Sequence, residues 1–304
     1  MSFRAIVLHI AHHPWIRRVA ADSKAARRLS KRWVPGETIE DALAAVKELN
    51  DAGISATLDH LGENVASEAE SREAAAVYLQ MLDEIHRRGL NCNVSVKLTQ
   101  MGLDISLDLC RQNLTAIVER AAGQGSFVRV DMEGSEYADR TLAMVREMHR
   151  THSNLGTVIQ AYLHRSDNDV TALIEERIRI RLCKGAYQEP PSVAYQQKAD
   201  VDRNYVRLSQ ELLTSGIYHG IATHDPRMIQ AALDHAARHH LPPSAFEFQM
   251  LYGIRRDLQR QLRGQGWNVR VYIPFGSHWF PYLTRRLAER PANLLFLLKN
   301  AFRG

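Results

Sequence analysis

Short apolar runs alternate with amphipathic stretches along most of the chain. The first run, residues 54–62, follows a stretch whose apolar residues recur at helical spacing between Thr38 and Gly53. The same alternation then repeats seven more times, with later runs at residues 93–99, 127–133, 156–163, 178–186, 218–225, 246–251 and 268–276. Short runs rich in β-branched residues, each preceded by a helical pattern, are typical of buried parallel strands.

Eight strands that alternate with helices favour a parallel sheet, and most economically a closed (β/α)8 barrel. The competing architecture is an open doubly wound sheet, which favours a G-x-G-x-x-G turn after its first strand. That turn is missing here, and the eight units run without a linker or a break in composition. We therefore expect a catalytic barrel over residues 38–304, preceded by a basic helical segment over residues 1–37.

Polar residues lie near the C-terminal ends of these predicted strands, which meet at one mouth of a barrel. They are Asp59, His60, Lys97, Thr99, Asp131, Glu133, Gln160, Tyr162, Arg181, Lys184, residues 223–225, Glu247, Gln249 and Tyr272. Any one of them could be a structural ion pair or a cap, but charges inside a barrel are costly unless they are paired or used. We expect Lys97 and Asp131, on adjacent strands, to lie within pairing distance.

Three further segments indicate a site for anionic groups. Residues 181–187 supply two cations and a glycine that lets a ligand approach the backbone, and residues 223–225 precede a helix N-terminus that could receive phosphate oxygens. In the last predicted helix, which starts near Pro281, one stripe carries Tyr282, Arg285, Arg286 and Glu289. That stripe is either a solvated ion pair or a polar face that binds an anion at the mouth.

Composition places the chain among soluble globular proteins, with 45% hydrophobic and 24% charged residues in 304. The net charge of +5 is concentrated between Arg4 and Arg32, where no uninterrupted apolar span fits a secretory signal or a transmembrane helix. We expect a cytoplasmic protein without a nucleic-acid partner. The basic segment is either a surface helix, which would lie on the domain or on anionic lipid, or a transit peptide.

The candidate chemistry is that of an organic cofactor. Three scattered cysteines indicate reduced thiols, and the adjacent histidine pairs are poor chelates, so no metal site is predicted. Cations and uncharged polar groups at the predicted mouth suit a large anionic redox cofactor. The alternative function is a Schiff-base aldolase or lyase on the same barrel, with Lys97 or Lys184 as the nucleophile.

Seven motifs follow one another in a specific order: SVKLTQMGLDIS, VRVDMEGS, GTVIQAYLHRS, RIRLCKGAY, GIATHDP, FEFQMLYGI and VYIPFGSHWFPYLTRRLAERPAN. In this order they resemble the FAD-dependent proline dehydrogenases, both the short monofunctional bacterial form and the matching domain of proline utilization A. The resemblance implies a distorted (β/α)8 barrel whose last helix lies over the mouth. It also implies oxidation of L-proline to Δ1-pyrroline-5-carboxylate with reduction of FAD.

The resemblance also implies roles for individual residues. Lys97, Asp131 and Arg181 would be catalytic. The proline site would contain Lys97, Leu251, Tyr272, Tyr282, Arg285 and Arg286, and the flavin site Gln160, Arg181, Lys184, Ala186, Thr223, His224 and Glu289. Phe275 and His278 stand where the family pattern leads us to expect a tyrosine and an acidic residue.

Electrons would pass to a membrane quinone, as the resemblance implies. The apolar run at residues 292–302 would then either pack on the barrel or contact the membrane peripherally. A homo-oligomer is compatible with the sequence, which does not determine the oligomeric state.

Overall fold

Eight parallel strands close into a barrel in sequence order in the computed structural model. The structure describes residues 30–62 and 64–289, of which residues 285–289 are described without their side chains. The strands are β1 (Ser55–His60), β2 (Cys92–Val96), β3 (Val128–Val130), β4 (Leu155–Gln160), β5 (Arg179–Cys183), β6 (Gly220–Ala222), β7 (Glu247–Leu251) and β8 (Asn268–Phe275). Every predicted strand is present, so the barrel is confirmed and the open sheet is excluded.

Helices occupy the predicted segments between the strands. They are α1 (Ile39–Asp51), α2 (Glu68–Arg87), α3 (Leu107–Gly123), α4 (Ala138–His149), α5 (Ser166–Glu175), α6 (Lys198–Thr214), α7 (Pro226–Arg238), α8 (Arg256–Gly264) and α9 (Trp279–Glu289). Their starts follow local chemistry, because Thr38, Ser67 and Ser106 each accept a hydrogen bond from a backbone N–H in the first turn. Helix α1 carries the complete capping box, with Thr38 and Asp41 bonded reciprocally.

The last helix lies at the mouth of the barrel because α1 takes its usual place. Helix α1 packs against β8 and β1, the position that the helix after β8 would hold in a regular barrel. Helix α9 contributes Trp279, Tyr282 and Leu283 to a separate apolar cluster with Leu61, the residue after β1. The predicted distortion of the barrel is therefore confirmed.

The predicted terminal segments are described only in part. Trp33 and Val34, from the end of the basic segment, are buried in the same cluster as Trp279. Residues 1–29 and 290–304 lie outside the described residues, so the domain boundary at residue 37 and the fate of the apolar run at 292–302 stay predictions. Within the described part of the chain, no helix is both long enough and apolar enough to cross a membrane.

The two faces of the strands have opposite character. Outward-facing residues such as Leu58, Val94 and Val130 are fully buried against the helices and form the main apolar core. Each such side chain contributes about 1.5–3 kcal/mol through burial. Two buried cysteines belong to this core, and burial raises the pKa of the Cys92 and Cys110 thiols to about 12. Among the described residues the cysteines form no disulfide bond.

The barrel interior is largely polar. Its lower part holds Arg129, Glu247 and Arg270, where barrels are usually filled by branched apolar side chains. Two glycines leave space for these polar side chains. A Cβ on Gly156 would lie 2.9 Å from Arg129 Nη1, and a Cβ on Gly220 would overlap the amide of Gln249. The interior therefore forms a hydrogen-bonded column that leads towards the mouth.

Candidate active site

A cavity of about 460 Å³ lies at the C-terminal ends of the strands. Its volume is in the range of small-molecule and cofactor sites. The predicted residues that line it are Lys97, Asp131, Gln160, Arg181, Lys184, Ala186, Thr223, His224, Leu251, Tyr272 and Tyr282. The structure thus brings together every predicted site residue whose side chain it describes. Arg285, Arg286 and Glu289 lie on α9 with Tyr282, but their side chains are outside the described part.

Lys97 forms its ion pair with Asp59, at the end of β1. Lys97 Nζ lies 2.8 and 2.9 Å from the two carboxylate oxygens, and the two side chains are 10% and 1% exposed. The hydroxyl of Tyr78 lies 3.4 Å from the same carboxylate. We expected Lys97 and Asp131 to lie within pairing distance. They follow adjacent strands, but the ion pair of Lys97 is with Asp59 on the strand at its other side, and other donors bond Asp131.

Asp131 accepts hydrogen bonds from three strands. Ser95 Oγ and Arg181 Nη1 donate to Oδ1, each at 2.7 Å, and the Tyr272 hydroxyl donates to Oδ2 at 2.8 Å. Burial raises the pKa of Tyr272 well above its usual value, and the negative charge of Asp131 raises it further. Tyr272 therefore stays protonated and presents its ring to the cavity while its hydroxyl is held by Asp131.

Arg181 is the centre of the polar column. Besides Asp131, its Nη1 donates to Ser95 Oγ at 3.1 Å, and its Nε donates to Gln249 Oε1 at 2.5 Å. Its guanidinium carbon lies 5.1 Å from the centroid of the Tyr272 ring, a cation–π distance. These contacts hold a buried, planar cation at the cavity wall.

Sequence reasoning missed several members of this network. It gave no role to Glu247 and Gln249 beyond their places near a strand end, and it did not single out Ser95 or Arg270. The available signal was the period-two pattern of polar residues at 95 and 97, 129 and 131, 179 and 181, 247 and 249, and 270 and 272. Alternate strand residues face the same side, so this pattern indicates a polar barrel interior.

Lys184, directly after β5, lies between two carboxylates. Its Nζ is 2.5 Å from Asp202 Oδ1 and 3.0 Å from Asp225 Oδ2. Burial raises the pKa of Asp225, but hydrogen bonds from Lys184 and Arg227 outweigh it, so the net pKa is lowered. Asp225 also caps α7 by accepting from the backbone N–H of Arg227. The helix N-terminus that we expected to receive phosphate oxygens is thus already capped by a carboxylate.

Gln160 presents an unused acceptor at the cavity wall. Its Nε2 donates to the carbonyls of Met132 and Glu133 at 3.1 and 3.2 Å. Its buried Oε1 has no hydrogen-bond partner among the described residues. A buried acceptor of this kind normally has a partner, so its position at the cavity indicates a ligand that donates a hydrogen bond.

Gly185 and His224 shape the same wall. Gly185 has φ of +113°, and a Cβ there would overlap the ring of Tyr162, so the loop after β5 needs a glycine at this position. His224 Nε2 accepts from the backbone N–H of Leu251 at 2.9 Å, which places the proton of a neutral ring on Nδ1.

Comparison with known proteins agrees with this geometry. The family model described as proline dehydrogenase matches residues 42–299. The chain belongs to the proline dehydrogenase family. The family resemblance and the enzyme class that we predicted are thereby confirmed, and the protein is an oxidoreductase of proline catabolism.

Relatives of similar length cover nearly the whole chain. Proline dehydrogenase 1 of Bacillus subtilis is 42% identical over 270 residues, which are 89% of each chain. The proline dehydrogenase of Deinococcus radiodurans is 41% identical and covers 99% of this chain and 98% of its own.

Bifunctional proteins share the barrel as part of a much longer chain. The crystal structure of proline utilization A from Bdellovibrio bacteriovorus, inactivated by N-propargylglycine, superposes with a TM-score of 0.82 at 26% identity. The match covers 94% of this chain and 36% of that one. Escherichia coli PutA is 27% identical over 90% of this chain and 24% of its own.

Proposed function

We propose that the enzyme oxidises L-proline to Δ1-pyrroline-5-carboxylate in the mouth cavity, with FAD as its cofactor. The observation that carries the proposal is the convergence of Lys97, Arg181 and Tyr272 on one cavity at the barrel mouth, which Tyr282 of α9 also lines. Family membership supplies the reaction class, and we place the amino acid and the reactive ring of the cofactor in this cavity.

The cavity wall suits a flavin. The unpartnered acceptor Gln160 Oε1 matches an imide N–H of the flavin ring, and the neighbouring Gly185 lets a flat group approach the backbone. We propose that Lys184, Ala186, Thr223 and His224 hold the rest of the cofactor, with Glu289 orienting an arginine or a cofactor hydroxyl. When bound, FAD would accept the two electrons and the hydrogen that leave C5 of proline.

The substrate carboxylate needs fixed cations. We propose that Lys97 binds it together with Arg285 and Arg286 on α9, because planar guanidinium groups bind carboxylates with two parallel hydrogen bonds. Tyr272, Tyr282 and Leu251 would enclose the apolar ring of proline and exclude water.

Asp131 acts through its neighbours in this proposal. Ser95, Arg181 and Tyr272 all donate hydrogen bonds to its oxygens, so the carboxylate holds these three side chains in place. We propose that Asp131 positions Arg181 and Tyr272, and that the substrate amine reaches the site after losing its proton.

The ion pairs of the two candidate lysines argue against the aldolase alternative. A Schiff-base lysine must present a neutral amine. Lys97 forms an ion pair with Asp59, and Lys184 forms ion pairs with Asp202 and Asp225, so carboxylates already engage both amines.

Colour separates the two functions. We expect the purified protein to be yellow, and its flavin absorption to bleach when L-proline is added and to return when a soluble quinone is added. A colourless protein that borohydride traps covalently with a carbonyl substrate would instead establish the aldolase.

We further propose that the enzyme is cytoplasmic and passes electrons to a membrane quinone through peripheral contact with the membrane. The candidate contact is the apolar run at residues 292–302. Flotation with liposomes should then depend on this run, and equal flotation of the intact chain and of a chain that ends at Pro291 would contradict the proposal.

A further inference from the structure

Arg181 is the upper end of a buried polar chain that continues down the barrel interior. Its Nε donates to Gln249 Oε1 at 2.5 Å, and Gln249 Nε2 donates to Glu247 Oε1 at 2.6 Å. Glu247 accepts in turn from Arg270 Nε, at 2.8 and 3.0 Å from its two oxygens. All four side chains are at least half-buried, and we call them, from Arg181 to Arg270, the interior chain.

The chemistry of its neighbours fixes the orientation of the Gln249 amide. A guanidinium can only donate and a carboxylate can only accept, so the amide oxygen faces Arg181 and the amide nitrogen faces Glu247. A reversed amide would leave buried groups unsatisfied, at a cost of about 1–3 kcal/mol each. Gln249 therefore links the two charged groups: its nitrogen donates to Glu247, and its oxygen accepts from Arg181.

Glu247 is held in its charged form. Burial raises its pKa, but the charge of Arg270 and the hydrogen bonds from Arg270 and Gln249 outweigh burial, so the net pKa is lowered. The hydroxyl of Tyr218 also donates to Glu247, at 3.1 Å. The lower end of the interior chain is therefore a fixed carboxylate, and Gln249 cannot turn away from it without losing a charge-assisted hydrogen bond.

The backbone is adapted to this amide. Gly220 on β6 lies opposite Glu247 in the β6–β7 register, and a Cβ there would overlap Gln249 Nε2. No positive φ is needed at Gly220, so the requirement for glycine comes from space alone.

We propose that Gln249 is a positioning residue for the reaction, which fixes the guanidinium of Arg181 at the cavity wall through the carboxylate of Glu247. The proposal rests on the proposed function, in which Arg181 contacts the flavin. A cation held beside a flavin stabilises its electron-rich reduced form, and a guanidinium that can rotate away stabilises it less.

The test replaces Gln249 with leucine, which has a similar size but no amide. For Gln249→Leu we expect FAD content and the KM for proline to stay near those of the wild type. We expect kcat to fall on the order of tenfold to a hundredfold, the scale seen when a catalytic group is misplaced. The midpoint potential of the bound flavin should become more negative, which is a readout independent of turnover.

Two further variants make the result specific. Asn113→Leu removes another buried amide, which bonds Ser71 and Met101 away from the cavity, and should lower stability without moving the potential or kcat. Gln249→Met is a second apolar replacement, unbranched and of similar length, which neither accepts from Arg181 nor donates to Glu247, so its kcat and flavin potential should change in the same direction as those of the leucine variant. This variant provides the test if the leucine variant does not fold.

The outcomes are separable. A Gln249→Leu enzyme, or a Gln249→Met enzyme where leucine prevents folding, with the wild-type flavin potential would overturn the positioning role while the proposed function stands. A wild-type protein without flavin would overturn the proposed function, and the positioning role with it.

Discussion

At the scale of single residues, the partner of each charge is decided by which other donors are near it. Asp131 is close to Lys97 in the strand order, yet Ser95, Arg181 and Tyr272 take its oxygens. Lys97 instead forms a buried ion pair with Asp59. Burying two charges is costly, and the loss of one partner costs more than the loss of both.

We predict that Lys97→Met lowers the free energy of unfolding by about 3–5 kcal/mol, because it leaves Asp59 charged and buried. The double variant Lys97→Met, Asp59→Asn should lose less than the sum of its two single variants. Urea unfolding of the four proteins measures this coupling. Strictly additive losses would show that the two side chains do not interact energetically.

At the scale of elements, the site depends on which helix packs between β8 and β1. Helix α1 occupies the place between β8 and β1, so α9 is displaced to the mouth and brings Tyr282 to the cavity. Trp279 anchors α9, since it is 2% exposed, packs in the cluster with Trp33 and donates from Nε1 to Glu37 Oε1 at 3.2 Å. The position of α9, which carries the residues that we propose to bind the substrate, thus depends in large part on the buried side chain of Trp279.

Removal of this anchor should affect substrate binding more than folding of the barrel. We predict that Trp279→Ala raises the KM for proline strongly and increases cleavage of α9 by proteases, because α9 loses its main buried contact. The matched control is Trp267→Ala, which removes a tryptophan that packs on Phe246 and Phe248 outside the cavity. An equal rise in KM in both variants would mean that general loss of stability, and not the docking of α9, is the cause.

At the scale of the whole molecule, a buried histidine links stability to pH. Burial, together with the smaller effect of the positive charges of Arg129 and Arg179, lowers the pKa of His219 to about 3. Its neutral ring accepts from the backbone N–H of Ile180 and bonds Ser215 Oγ. Between about pH 3 and pH 6.5 the unfolded chain therefore binds a proton that the folded chain does not, so stability rises with pH in this window.

We predict that the free energy of unfolding falls as the pH is lowered through this window, with a slope from His219 of up to about 1.4 kcal/mol per pH unit. Replacing it with glutamine, His219→Gln, should flatten the profile by that amount, whereas His86→Gln, at an exposed position, should leave it unchanged. Denaturant unfolding at several pH values measures the slopes. A His219→Gln profile parallel to that of the wild type would contradict the assignment.

The sequence by itself determined the strands, the helices and the residues near the strand ends, because hydrophobic period and turn chemistry are local. Alternation that repeats without a break leaves few architectures, and parallel strands in a closed barrel bring their C-terminal ends together. The motifs in their order were enough to name the family. These features can be predicted because each depends on residues that are close together in the sequence.

Only the tertiary structure decided which charges pair and which groups support them. The Lys97–Asp59 pair, the three donors to Asp131 and the chain from Arg181 through Gln249 to Arg270 join residues that are far apart in sequence. Which groups bond to each other depends on closure of the barrel, on the space left by Gly156 and Gly220, and on competition among several donors for each acceptor. A local sequence pattern does not determine the distances between these groups, because the groups come together only when all eight strands surround one interior.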